Sequence, residues 1–388
     1  MPIVNRIADF HDEITQVRRD LHQQPELMFD VHKTAQRVVE ELKGYGIQDI
    51  TTGVGRSGVV AVIEGKSNTS GKTVGLRADM DALPLQETSG KPYASKIDGT
   101  MHACGHDGHT AMLLAAAKYL QETRNFDGKV VLIFQPAEEG GGGAREMVDD
   151  GLISRWGITE VYGMHNWPEL DLGTFAICKG SIMASADRIL IEVEGKGGHA
   201  AKPHQCIDTV VVMAAIIQAV QTIASRNVDP QEAVVVSLCH VKAGFTDNVL
   251  PQTGMIEGTV RTLDPDIRDM TERRLKEIVE GTAAIYGAKA TLQYKRDYPV
   301  TVNHDEPAMR AAEIARSIAG ADKVNDELVP SMGAEDFSFM LEACPGAFIF
   351  VGNGHSAPLH HPDYDFNDEL IPIGASYWVK TVEAAMPA

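Results

Sequence analysis

The sequence predicts an α/β fold interrupted by a second, α+β domain, and three observations carry that expectation. Strand-type and helix-type runs alternate through the first half of the chain, the pattern of a layered α/β sheet. From about Ala186 the order changes to β-α-β-β-α-β, which is the ferredoxin-like unit. At 388 residues the chain also exceeds the size at which one core usually stops growing. The expected division is 1–185 and 298–388 as one discontinuous domain, with 186–297 inserted into it.

Each element follows from its local pattern. Ile7, Phe10, Ile14, Val17 and Leu21 recur at helical spacing, and Gln24-Pro25 ends that helix. Thr34–Gly44 repeats the pattern and stops at glycine. Val59–Glu64 and Thr73–Ala78 read as strands, Ala111–Gln121 as a helix, Val130–Gln135 as a continuous apolar strand and Gly143–Gly151 as a helix. In the inserted unit the strands are Ile189–Val193, Ala233–His240, Met255–Thr262 and Ala290–Tyr294; the helices are Ile207–Ala224 and Ile267–Tyr286. Ala308–Ala319 (helix), Phe348–Val351 (strand) and Gly374–Ala385 (helix) then return to the first domain.

Composition narrows the function classes. Hydrophobic residues make up 44% and charged residues 23%, which argues for a folded globular chain. A formal net charge of −19 repels nucleic acid and anionic membrane surfaces, so neither is an expected partner. Five scattered cysteines with no Cys-x-x-Cys pair fit a reducing compartment, and the cytoplasm is the expected location. No basic-then-apolar leader opens the chain. The apolar run 209–217 meets Gln218 and Gln221 too soon to span a bilayer, and is expected to be a buried or interface helix, packed in its own domain or against a second copy.

The chemistry starts at His102-Ala-Cys-Gly-His-Asp-Gly-His-Thr110. Three imidazoles, a thiol and a carboxylate on one short connection are costly to desolvate, and a bound metal is the usual compensation. The alternative is a polar loop that caps the following helix. Further donors stand at Glu138-Glu139, at His165 and at His360-His361, mostly after predicted strands, where open α/β sheets gather ligand groups. Adjacent glutamates at a strand end point in different directions, so one can bind metal while the other acts as general base toward water. Gly140–Gly143 lacks the Gly-Lys-Ser/Thr of a phosphate cradle, and is expected instead to let the backbone pass close to the metals.

Eight motifs together resemble the M20 family of metallo-amidohydrolases, in its hippurate hydrolase, aminoacylase and auxin-conjugate hydrolase branch. They are Leu76-Arg-Ala-Asp-Met-Asp-Ala-Leu-Pro84, Met101–Thr110, Phe134-Gln-Pro-Ala-Glu-Glu-Gly140, Gly163-Met-His-Asn166, Gly195-Lys-Gly-Gly-His-Ala200, Asn248-Val-Leu-Pro251, Met332-Gly-Ala-Glu-Asp-Phe337 and Leu359-His-His-Pro362. The likeness runs nearly end to end. It implies a mixed-sheet metallohydrolase catalytic domain with an inserted ferredoxin-like lid that also serves dimerisation, and a homodimer or tetramer is the expectation.

The resemblance also implies site residues. Two divalent metal ions, drawn from manganese, zinc, nickel or cobalt, fall to Cys104, His106, Glu139, His165 and His360. His360 is preferred to His361 because the branch pattern is Leu-His-x-Pro. More distant members carry an aspartate bridging the metals near Cys104, so the thiolate is a candidate bridge, and a thiolate there implies sensitivity to oxidation and thiol reagents. Glu138 is implied as the base, Asp81 as the carboxylate that orients a metal ligand, and His199 as the donor to the oxyanion, often across a dimer interface. Asp79 receives no role; Asp107 and His109 are assigned to loop support or to substrate. Asn248 and Arg261 are candidates for the carboxylate of a small N-acyl amino acid, with a surface ion pair as the other reading of Arg261. The implied reaction is hydrolysis of the N-acyl amide to a carboxylic acid and a free amino acid, with carboxypeptidase or dipeptidase action and non-catalytic binding as alternatives.

Overall fold

A computed structural model describes residues 4–388. Contacts divide the chain into two compact units. One comprises residues up to Ile182, Val302–Val329 and Asp336–Ala388; the other comprises Met183–Thr301 with Pro330–Glu335.

The first unit is built on an eight-stranded mixed sheet, in the order Ile50–Val54, Gly58–Glu64, Lys129–Gln135, Thr73–Asp79, Glu160–Trp167, Gly346–Gly352, Phe175–Ala176, Val324–Asn325. Four neighbouring strands, Lys129–Gln135 through Gly346–Gly352, run parallel. Thr73–Asp79 and Gly346–Gly352 are buried along their whole length, as expected of strands at the centre of a parallel sheet. The helix His106–Thr123 packs on Thr73–Asp79 and against the helices His11–His22 and Ile371–Ala385. Because the parallel strands share a direction, Asp79, Gln135 and Trp167 end on one side, and the motifs that follow converge there.

Three local expectations change. The opening helix is two helices, Asn5–Ala8 and His11–His22, and the turn between them leaves both Ile7 and Phe10 buried. His165 and Asn166 lie inside the strand Glu160–Trp167 instead of after it. The histidine cluster is not a loop from Cys104 onward, because His106, Asp107 and His109 form the first turn of the His106–Thr123 helix.

The second unit is a four-stranded antiparallel sheet in the order Val234–Ala243, Thr253–Thr262, Ala186–Glu194, Lys289–Tyr298. Counted along the unit this is 2-3-1-4, and with the helices Thr209–Val220 and Pro265–Ile285 it is the ferredoxin-like arrangement. Alternate residues Ile189, Ile191 and Val193 face a core shared with Val212, Ile216, Leu275 and Val279. Asp208 caps the apolar helix, accepting the N–H of Val210 at 2.9 Å. The helical stretch runs past both glutamines to Asn227; its 19 residues are long and apolar enough to cross a membrane by length and composition. Val212, Met213, Ile216, Val220 and Ile223 are nevertheless buried in this unit's own core, so it is a core helix of the unit. Val210 and Val211 remain about half exposed.

Candidate metal centre

Two triads of donor atoms meet at one residue. In each, the ligand atoms lie within 4.8 Å of one another: Cys104, His106 and His165 form the first, and Cys104, Glu139 and His360 the second. A third group joins Glu138 to His106 and Glu139. The structure therefore gathers Cys104, His106, Glu138, Glu139, His165 and His360, with Cys104 common to both triads.

Two of the imidazoles are set by their backs. His106 donates from Nδ1 to the carbonyl of Asp81 at 2.8 Å, and His165 donates from Nδ1 to the carbonyl of Asn166 at 2.7 Å. Both Nε2 atoms are left to face the centre. That of His165 lies 3.4 Å from Cys104 Sγ, and that of His106, buried, has no hydrogen-bond partner. Fixing one ring nitrogen on an acceptor so that the other presents its lone pair is how metal-ligating histidines are held.

Asp81 supports both sides of the centre. Its carboxylate accepts the backbone N–H of Glu138 at 3.0 Å and of Glu139 at 3.1 Å, and lies 3.4 Å from His106 Nδ1. Burial raises its pKa, more than its hydrogen bond to His106 lowers it. The turn it braces begins with Ala137 at φ +55°. Gly143 has no room for a side chain, since a Cβ there would sit 1.7 Å from the carbonyl oxygen of Pro136. The close approach that demands glycine is thus to the strand end and not to the metal position.

Asp79, given no role from the sequence, is wholly buried and central to the support of the site. It accepts from Arg77 at 2.7 Å and from His109 Nδ1 at 2.6 Å, and lies 3.6 Å from His106 Nε2. Arg77 also donates to Gln135 at 2.8 Å and to Asp336 at 3.2 Å, while Asp336 accepts the N–H of Ala144. His109 Nε2 lies 2.7 Å from Oδ1 of Asn166, and its ring packs edge-on against His165. A signal existed: Arg77 and Asp79 are two apart in a strand, hence on one face, and two like-facing buried charges of opposite sign imply a pair. Asp336 and Asn166 had no such local cue.

Asp107 turns away from the donors into a second buried network. Arg18 reaches it at 3.0 Å and His22 Nδ1 at 2.9 Å, with all three side chains inaccessible. Burial alone would lower the His22 pKa, but Asp107 and Glu87 outweigh it and lift it to about 9. His102 lies near His22 with both ring nitrogens unpartnered, and burial pushes its pKa down to about 4.

At the last pair, His360 Nε2 lies 3.3 Å from Glu139 Oε1, whereas His361 Nδ1 accepts the N–H of Asp363 within its own turn. In the second unit, Gly198–His199 pairs antiparallel with Val249–Leu250, so His199 and the Asn248 loop adjoin one short two-stranded ladder. Both residues are exposed. Arg261 makes no ion pair among the described residues, donating instead to the carbonyl of Val260 and to Thr259. It stands eight residues along the strand from Thr253, about 26 Å at ~3.3 Å per residue. Asn248 precedes the start of that strand, and Arg261 stands near its other end.

The donor set fits a cation. Asp79, Asp81 and Glu139 crowd His106, and although burial opposes it, they raise its pKa to about 10. The site therefore favours positive charge, and its thiol, imidazole and carboxylate donors suit zinc and neighbouring divalent ions. Glu139 Oε1 is likewise buried without a well-aligned hydrogen bond. Cys104 is only 7% exposed, and burial together with Glu139, Glu138 and Asp79 pushes its thiol well above the usual range. Without a cation the thiol is therefore held protonated and shielded.

Comparison with known proteins agrees with this geometry. The family model for peptidase family M20/M25/M40 matches residues 75–384. A hippurate hydrolase from Campylobacter jejuni is 42% identical over 98% of both chains. Thermostable carboxypeptidase 2 of Saccharolobus solfataricus is 39% identical, covering 96% of this chain and 95% of that one. A Bacillus subtilis structure described as a dinuclear metal-binding peptidase of the M20 family superposes with a TM-score of 0.86 at 34% identity, covering 98% of this chain and 99% of that one. The chain belongs to peptidase family M20/M25/M40.

Proposed function

We propose that this protein is a metal-dependent amidohydrolase that cleaves the amide bond of N-acyl amino acids, giving a carboxylic acid and a free amino acid. The observation that carries the reading is the pair of donor triads sharing Cys104, with Glu138 beside them. Similarity to a hippurate hydrolase over nearly the whole length supports the substrate class.

Two divalent ions, zinc, manganese, nickel or cobalt, would be held by Cys104, His106, Glu139, His165 and His360, with the cysteine common to both. Bound there, such ions supply Lewis-acid polarisation of the scissile carbonyl and acidify water. Glu138 takes the proton of the attacking water and returns it to the leaving amine nitrogen. Asp81 keeps that base and the ligand Glu139 in register through their backbone N–H groups. In this reading the inserted unit acts as a lid carrying His199, whose imidazole donates a hydrogen bond where the oxyanion develops. Asn248 and Arg261 bind the substrate carboxylate. Five free thiols suit the cytoplasm, and a homodimer or tetramer is the assembly of this reading.

Glu138→Gln tests the mechanism. The variant is expected to keep its metals and lose turnover on a good N-acyl amino acid; full turnover with metals bound overturns the role. Carboxypeptidase action is the second reading, favoured by the likeness to the thermostable carboxypeptidase. Screening the metal-loaded protein on N-acyl amino acids and on free and blocked peptides separates the two. Silence on every amide would leave a non-catalytic binder.

A further inference from the structure

The three imidazoles of the centre are not held alike. His106 and His165 are buried, and each has its Nδ1 fixed by a backbone carbonyl. His360 has neither advantage. Its side chain is 54% exposed, its backbone stands at φ +62°, and among the described residues no hydrogen bond reaches its Nδ1. Apart from the 3.3 Å approach of its Nε2 to Glu139, its place is set by the backbone of its turn.

That turn is gripped from the side by a segment far away in sequence. The N–H of Thr88 donates to the carbonyl of Pro362 at 2.9 Å, and its hydroxyl donates to Asp363 at 2.5 Å. Lys91 Nζ lies 2.7 Å from Asp365, and the hydroxyl of Tyr93 donates to the same carboxylate at 3.0 Å. The gripping segment is itself anchored in the interior. Glu87 accepts the N–H of Ser95 at 2.6 Å and faces His22 at 3.4 Å, and the Tyr93 ring lies under the guanidinium of Arg18 at 4.7 Å. Apart from the clasp, the N–H of His360 donates to the carbonyl of Ala103 at 2.8 Å, one residue before Cys104.

We infer that Thr88, Lys91 and Tyr93 are positioning residues for His360, and that their clasp sets the affinity of the metal position formed by Cys104, Glu139 and His360 while leaving the Cys104–His106–His165 position unchanged. The physical reason is preorganisation. A ligand on an exposed left-handed turn loses conformational freedom when it coordinates, and a turn already immobilised loses less. Support of this kind beyond the ligands themselves is typically worth about 10-fold to 100-fold in metal affinity. The inference rests on the two-metal reading above.

The test is a zinc titration of the full-length protein, stripped of metal and followed by chelator competition, for wild type, Lys91→Met/Tyr93→Phe, Thr88→Val and Lys91→Arg. Wild type is expected to take up two zinc ions. The double variant should bind one with wild-type affinity and the other more weakly by about 10-fold or more. Thr88→Val, which loses only the hydroxyl bond, should move the same affinity by a smaller factor, and Lys91→Arg should retain both. Two unchanged affinities in the double variant, or two that fall together, overturn the clasp while leaving the two-metal reading intact. Fewer than two zinc ions in wild type overturns that reading and the clasp with it.

Discussion

The carboxylate of Asp81 accepts the backbone N–H of Glu138 at 3.0 Å, tying the residue that braces one proposed metal ligand to the residue proposed as the base. The same group accepts from Glu139 and lies beside His106, so a single buried carboxylate keeps the histidine side and the glutamate side of the centre in register.

Asp81→Asn therefore disturbs more than one ligand. The amide offers one oxygen where two backbone donors are now served, and its NH2 confronts a donor. The expected loss is about 1–3 kcal/mol of stability from the unmet N–H, with metal affinity lower by about 10-fold to 100-fold. Denaturant unfolding of the metal-free protein and a metal titration measure the two effects separately. A variant equal to wild type in both would remove Asp81 from this role.

Cys104 should show reactivity opposite to that of an exposed thiol. Burial and three neighbouring carboxylates keep it protonated in the cation-free chain, whereas Cys239 is exposed. With iodoacetamide at mildly alkaline pH, mass spectrometry should find Cys239 alkylated first and Cys104 slower by about an order of magnitude or more. Cys104→Ala should lose metal and activity together.

The His22–Asp107 pair makes stability depend on pH. Its folded pKa of about 9 lies above the ordinary 6.5, so the contribution is complete below pH 6.5 and is lost as pH rises through about 9. Urea unfolding of wild type and His22→Gln should show the largest stability gap near pH 6 and a shrinking gap toward pH 9.5. A gap that stays constant or widens contradicts the pairing.

Gly105→Ala should be poorly tolerated for two independent reasons. Gly105 stands at φ +90°, and an added Cβ would lie 2.3 Å from Oδ1 of Asn166 and 2.6 Å from the Tyr364 hydroxyl. Left-handed backbone alone costs about 1–2 kcal/mol for a non-glycine residue, and relieving the clash would pull Asn166 from His109. A lowered melting temperature and a loss of metal binding are expected together.

Much of this was legible in the residues alone. Strand and helix runs, the ferredoxin-like order and the donors at strand ends follow from periodicity and residue type, because side-chain direction along a strand or helix is a local property. Asp79 and His109 show where locality ends. Thirty positions apart, they meet only because a strand end and a helix start are packed together, and no pattern within either segment says so. The same holds for Cys104, whose residue type announces a metal but whose protonation depends on carboxylates brought in from elsewhere.

By itself, then, the sequence determined which residue types stand at the ends of which elements, and so the class of chemistry and the fold that presents it. Only the tertiary structure decided that Cys104 is shared by two triads, that Asp79 and Arg77 support the site, and that Thr88, Lys91 and Tyr93 hold its exposed corner. The reason is range: identity and spacing act over a few residues, whereas a donor's direction, burial and charge environment are set by groups tens to hundreds of positions away.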